Sequence, residues 1–170
     1  MMAPMRLLGI DPGTATVGYG VVDMQPDFSC RMVACGVVST AAHLPMAERL
    51  RIIHDDLGEL LAGYRPGVVV VEKLFAFRNV TTVISVAQAR GVILLAAHRA
   101  GCRLAEYTPM EVKLTITGYG RAQKGEVQDM VQDLLGLESR PRPDDAADAL
   151  AFALTHARYL ESLGTEEDEG

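Results

Sequence analysis

Cysteine is scarce in this chain of 170 residues, and Cys30, Cys35 and Cys102 form an odd number with no CxxC spacing. Neither a disulfide framework nor a thiolate zinc site is suggested, and the three read as packing residues. No apolar run reaches the roughly 18–20 residues of a membrane span. Met1 to Arg6 place a lone Arg after the methionines, with no apolar signal core or small-residue cleavage site behind it. A cytoplasmic chain with no membrane partner is expected. There is no GxSxG elbow and no P-loop, and Gly118-Tyr119-Gly120 lacks the third glycine of a dinucleotide fingerprint. No internal repeat or break in composition divides the chain. One domain is expected over residues 1–163, followed by a disordered acidic tail over 164–170.

What is there is a globular composition: 49% apolar, 22% charged, net charge −6. The negative charge is concentrated at the end. Glu161, Glu166, Glu167, Asp168 and Glu169 stand without a base in the last ten residues, leaving −1 over residues 1–160. Between Lys73 and Lys124 the balance reverses. Lys73, Arg78, Arg90, Arg99, Arg103, Lys113, Arg121 and Lys124 face only Glu106 and Glu111, a local +6. Such a segment suits phosphate binding, and the plainer reading is ordinary solvated Lys and Arg.

Met5 to Ile10, apolar apart from Arg6 and closed by Asp11-Pro12-Gly13, reads as a strand buried on both faces. Val17 to Met24 and Met32 to Thr40 follow as strands of an antiparallel meander. Leu44, Ala47, Leu50, Ile53, Leu57, Leu60 and Leu61 recur at helical spacing, so Pro45 to Leu61 is a helix, capped by Gly63 and stopped at Arg65-Pro66-Gly67. The unbroken Val68 to Val71 run, ending in Glu72, is a central strand parallel to the first. Asn79 can cap a long helix to about Ala100 that is apolar on more than one side, which calls for a subunit interface. A strand over Cys102–Tyr107, helices over Pro109–Thr117 and Gln123–Leu135, an extended Arg140–Pro143 link and a helix from Asp145 to about Leu160, capped by Asp144, complete the chain. The expected fold is α/β: a mixed five-stranded sheet with helices on both faces.

Two strands therefore end in carboxylates, Asp11 and Glu72. Asp145 and Asp148, at i and i+3, lie about 60° apart on one helix face. Singly, each acid could begin a turn, end a strand or cap a helix. Capping needs one carboxylate and Asp144 or Asp145 supplies it, so Asp148 lacks a structural role. Four carboxylates in one cleft need a cation, because like charges in a poor dielectric repel. Oxygen-only ligation selects Mg²⁺ or Mn²⁺ over zinc, and two such ions stabilise the attacking and leaving oxygens of phosphodiester hydrolysis. His43, His54, His98 and His156 carry little weight as general bases; His156, about three turns from Asp145, is read as structural.

Gly9-Ile10-Asp11-Pro12-Gly13, Val71-Glu72, Gln88-Ala89-Arg90-Gly91 and Asp145-Ala146-Ala147-Asp148-Ala149-Leu150 closely resemble the RuvC family of bacterial Holliday junction resolvases, in order and spacing, from about Arg6 to His156. The resemblance implies a ribonuclease-H-like fold, a homodimer, and Mg²⁺-dependent paired nicking of four-way DNA junctions in recombination and repair, with two ions per subunit and a branch-migration complex of RuvA and RuvB as partner. It carries the catalytic metal-binding acids onto Asp11, Glu72, Asp145 and Asp148, and the basic residues facing the scissile region onto Lys113 and Lys124. An aromatic acting at the junction falls on Phe75. Phe75 beside Lys73 and Arg78 could stack on or wedge between unpaired bases, and Arg121 adds charge in the loop after Thr117. Phe75 and Phe77 could equally fold back into the core.

Three other readings stand beside this one. Ile10-Asp11-Pro12-Gly13-Thr14 also resembles the first phosphate loop of the actin, Hsp70 and sugar-kinase ATPases, which need two such domains. A ribonuclease-H-like nuclease acting on another nucleic acid would carry the same acids. A junction-binding protein without catalysis would not need them.

Overall fold

The computed structural model describes residues 3–73 and 80–168. In chain order the elements are β1 Met5–Asp11, β2 Thr16–Met24, β3 Cys30–Ser39, α1 Met46–Tyr64, β4 Val68–Glu72, α2 Val80–Arg99, β5 Arg103–Tyr107, α3 Pro109–Thr117, α4 Lys124–Leu135 and α5 Asp144–Asp168. The strands form one mixed sheet in the order β3-β2-β1-β4-β5. β1, β2 and β3 pair antiparallel, whereas β4 runs parallel to both β1 and β5. This is the sheet expected from the strand pattern.

Alternation along the strands divides the core into two layers. Leu7, Val22, Val68 and Val70 face α3, α4 and α5. Leu8, Ile10, Val21, Val69 and Val71 face α1 and α2. Because β1 and β4 are covered on both faces, each reads as a continuous apolar run. The charge within β1 is explained by its register partner. Arg6 stands opposite Asp23 and forks onto it, Nε donating to Oδ1 at 2.8 Å and Nη2 to Oδ2 at 2.9 Å.

Several local expectations are corrected. Helix α1 runs through Gly63 to Tyr64, and Arg65 takes the left-handed turn at φ 51°, its N–H bonding the Leu61 carbonyl at 3.0 Å. Pro66 disfavours right-handed helix at the residue before it, so the break falls there. Asp144 is the first residue of α5, not a cap outside it. The Arg140–Pro143 link bends at Arg142 and Pro143, with a cis peptide between them. Helix α5 continues through Asp168, so residues 164–168 are helical where a disordered tail was expected. Phe28 explains part of the extension: it packs against the core beside Leu160, and its ring lies so close to Gly164 that an added Cβ would stand 2.9 Å from Cζ. Among the described residues no helix is long and apolar enough to cross a membrane.

Candidate active site: a carboxylate cleft at the ends of the central strands

The parallel pairing of β1 and β4 sets Ile10 opposite Val71, so the two strands end together, Asp11 beside Glu72. Both carboxylates follow the alternation of Gly9 and Val70 onto the face covered by α5. Three glycines let α5 settle on the sheet. A methyl group at Gly9 would overlap the Ala149 carbonyl oxygen, and one at Gly18 the Asp145 carbonyl oxygen. One at Gly20 would meet Leu150 Cδ2 at 2.6 Å. Gly18 is the register partner of Asp11 and Gly20 that of Gly9. The helix backbone therefore rests on a strip with no side chains, and its first turns stand over the end of β1. The facing helix surface is equally small: Ala146, Ala147, Ala149 and Ala153 are buried.

This docking gathers Asp11, Asp145 and Asp148, all half-buried, with one carboxylate oxygen of each within 4.8 Å of the others. Glu72 joins them as a lining residue of the same cleft, with Asp11, Asp148, Lys113, Lys124 and an apolar wall that includes Val112 and Phe152. The charges feel one another. Burial, then the neighbouring Asp148, Glu72 and Asp145, push the Asp11 carboxyl up to about 8. Burial and Asp148 raise Glu72, with Arg90 pulling the other way. Burial raises Asp148, opposed by Lys124. Lys124 Nζ stands 3.3 Å from Asp148 and 3.7 Å from Asp144. Burial works against its charge, but the attraction of Asp148, Asp144 and Asp145 outweighs it and raises its pKa. Asp144 turns outward and takes a hydrogen bond from Gln128 Nε2 at 3.1 Å, so it stands apart from the three-carboxylate group.

The other predicted residues separate. Lys113, on α3, lines the cleft. Lys73 is exposed just past β4, its N–H bonding the Tyr107 carbonyl at 2.8 Å. Arg121 is exposed between α3 and α4. Phe75, Phe77, Arg78 and the Asn79 cap lie outside the described residues. His156 is buried and shares a 2.7 Å hydrogen bond through Nδ1 with the Tyr107 hydroxyl, in keeping with a structural role. Arg90 corrects the reading of the basic segment. It is not a surface cation: its side chain is 15% exposed, and it bonds the Glu72 carbonyl oxygen at 3.0 Å and the Glu106 carboxylate at 2.7 Å. The sequence signal for that role was thin, an Arg inside an otherwise apolar helical stretch.

The Asp11-Pro12-Gly13-Thr14 turn also loses its reading as a phosphate loop. Three carboxylates within 4.8 Å surround the end of β1, where a cradle for a nucleotide anion would need positive or N–H groups.

A mixed sheet in this strand order, with acids gathered over the ends of its two central parallel strands, defines a protein of the ribonuclease-H-like class. The sequence model described as "Crossover junction endodeoxyribonuclease RuvC" matches residues 7–156, and the chain belongs to that family. It is 51% identical to the RuvC of Fusobacterium nucleatum over 162 residues, 95% of this chain and 83% of that protein. It is 56% identical to the RuvC of Rubrobacter xylanophilus over 151 residues, 89% of this chain and 84% of that one. Among solved structures, the RuvC of Thermus thermophilus in complex with Holliday junction substrate superposes with a TM-score of 0.88 at 42% identity, covering 93% of this chain and 96% of that one. A yeast mitochondrial Holliday junction resolvase, Ydc2, shares the fold at 16% identity and a TM-score of 0.71.

Proposed function

We propose that this protein is a cytoplasmic, metal-dependent endonuclease that resolves four-way DNA junctions by paired symmetric nicks in recombination and repair. Asp11, Glu72, Asp145 and Asp148 hold Mg²⁺ or Mn²⁺, two ions in each subunit of a homodimer. The observation that carries this is the convergence of Asp11, Asp145 and Asp148 within 4.8 Å in a cleft that Glu72 shares. The residues fit such ions. The donor set is all oxygen, as hard divalent cations require. Burial, and then repulsion from the neighbouring acids, lift Asp11 to about 8; a cation would offset both, and the Lys124 ammonium already sits 3.3 Å from Asp148. The chemistry that bound divalent metal supplies at such a site is polarisation of the phosphodiester and a water made nucleophilic at neutral pH.

The chain's own groups do the remaining work. Val112 and Phe152 give the cleft an apolar wall, which strengthens every charge interaction within it. Lys113 and Lys124 reach the cleft from α3 and α4 and receive the scissile phosphate. One of them stabilises the charge that develops as the bond breaks. Lys73, Arg121, Phe75 and Arg78 extend the contact along the junction arms. The α2 side chains Ile84 and Leu95, 54% and 53% exposed, suit a subunit interface. Two-fold pairing of subunits presents two clefts to a junction of matching symmetry. RuvA and RuvB are the expected assembly partners. Junction cleavage, rather than action on another nucleic acid, is favoured by the Thermus relative, which was solved with a Holliday junction substrate.

The test uses purified protein with a synthetic four-way junction and a linear duplex, each with and without Mg²⁺. Symmetric nicks are expected on the junction alone and only with metal. Cleavage of plain duplex at a similar rate would defeat the proposal.

A further inference from the structure

We infer that Arg90 is a positioning residue for Glu72, clamping the ends of β4 and β5 from the side of the sheet opposite the cleft. This rests on the reading of Glu72 as a metal ligand. Glu72 is the last residue of β4, and a strand end whose backbone is loose cannot hold a carboxylate to the tolerance that ligation needs. Two tethers are visible there. The Lys73 N–H bonds the Tyr107 carbonyl at 2.8 Å, tying β4 to β5 one residue further on. The second is Arg90. Its Nε donates to the Glu72 carbonyl oxygen at 3.0 Å, and its Nη2 meets Glu106 Oε1 at 2.7 Å.

The register makes the second contact meaningful. Glu106 on β5 pairs with Val71 on β4, so its side chain shares the Val71 face, toward α2, while Glu72 points to the other face. Arg90 neighbours the fully buried Ala89 on α2. One guanidinium thus holds the main chain of the ligand strand and the side chain of its neighbour at once. A planar fork presents donors in two fixed directions at once; the Lys ammonium is a compact charge with no such fixed geometry. Glu106 is 38% exposed, so the ion pair alone would contribute little; the guanidinium itself is 15% exposed and is held at a second point by the Glu72 carbonyl. Because the contact is with the Glu72 carbonyl and not its carboxylate, Arg90 leaves the ligand oxygens free.

The decisive measurement is Mn²⁺ binding to the purified full chain, read from the electron paramagnetic resonance of free Mn²⁺, beside single-turnover cleavage of a four-way junction and junction binding without metal. Removing a partner that orients a ligand typically costs about 10- to 100-fold in metal affinity or activity. Arg90→Met is expected to weaken Mn²⁺ binding and slow cleavage by about tenfold or more, with junction affinity changed less than about twofold. Arg90→Lys should recover part of both losses. Glu106→Gln should shift Mn²⁺ binding in the same direction by less, and it decides the matter if Arg90→Met does not fold. Wild-type Mn²⁺ affinity in a folded Arg90→Met, or in Glu106→Gln where only that variant folds, would overturn the inference; so would a wild-type chain that binds no Mn²⁺. Failure of the wild-type protein to cut junctions, with Mn²⁺ binding still dependent on Arg90, would instead defeat the proposed substrate and leave the clamp standing.

Discussion

Strand β1 meets an aspartate at each end, Asp23 across the register on β2 at its start and its own Asp11 at its finish, and only the first is matched by a base. At its start Arg6 faces Asp23, which is 3% exposed and held by two charge-assisted hydrogen bonds of 2.8 and 2.9 Å. That hydrogen bonding outweighs burial and keeps Asp23 below the usual carboxylate range. At its end Asp11 is half-buried among Asp145, Asp148 and Glu72, and its carboxyl is pushed up to about 8. Burial acts on both; the difference is the neighbour. One end is charge-balanced and serves stability. The other gathers carboxyl groups whose ionisation is held back by burial and by one another, and a site that binds a cation is the use for such a cluster.

The sharpest way to break the comparison is to remove each aspartate's charge problem in turn. Asp11→Asn should abolish junction cleavage, a loss of about 10³-fold or more, on the order of 4 kcal/mol in the barrier. Single-turnover assays at saturating Mg²⁺ measure it, and an active variant would take Asp11 out of the site. Next in size, Arg6→Met strands Asp23 with only Arg31 Nη2 at 3.8 Å. Urea unfolding should show a loss of about 3 kcal/mol, with cleavage per folded molecule unchanged. A neutral effect would mean the pair is not what holds that end.

The last effect is in pH, where the two ends have opposite signs. Asp11 has a folded pKa near 8 against an ordinary 3.8, so the stability it allows is full below about 4 and is lost as pH rises through 8. Asp23 is lowered, so its contribution is present above the ordinary carboxylate pKa and is lost as pH falls through the lowered value. Metal-free protein should melt lower at pH 8.5 than at pH 5.5, by roughly 3 °C for each kcal/mol. Asp11→Asn should flatten that slope, and Mg²⁺ should reverse it. Calorimetry in matched buffers measures both; a slope unchanged by Asp11→Asn would place the repulsion elsewhere.

Much of this was legible in the chain. Apolar runs marked β1 and β4 and the two-residue alternation marked their buried faces. Pro109 and the run to Thr117 located α3 in full. The four acids were singled out by residue type, position and family resemblance. What was missed shares a cause. Gly9, Gly18 and Gly20 look like weak strand positions until α5 lies across them. Arg90 counts as one more surface base until Glu106 and the Glu72 carbonyl are found beside it. Arg65, not Gly63, turns the chain, because Pro66 acts on its neighbour. Helix α5 outruns its expected end where Gly164 meets Phe28, more than a hundred residues away in sequence.

The sequence by itself determined the elements, their faces and the identity of the carboxylates, since periodicity and residue chemistry are local properties. The tertiary structure alone decided that those carboxylates meet. Their distance depends on how closely a helix backbone can approach two strands, and that is set by side chains absent at Gly9, Gly18 and Gly20. It also decided which charges are matched. Arg6 and Asp23 cancel across a register, Arg90 is turned inward to a strand end, and Asp11 is left with acids for neighbours, because pairing is a matter of distance in space.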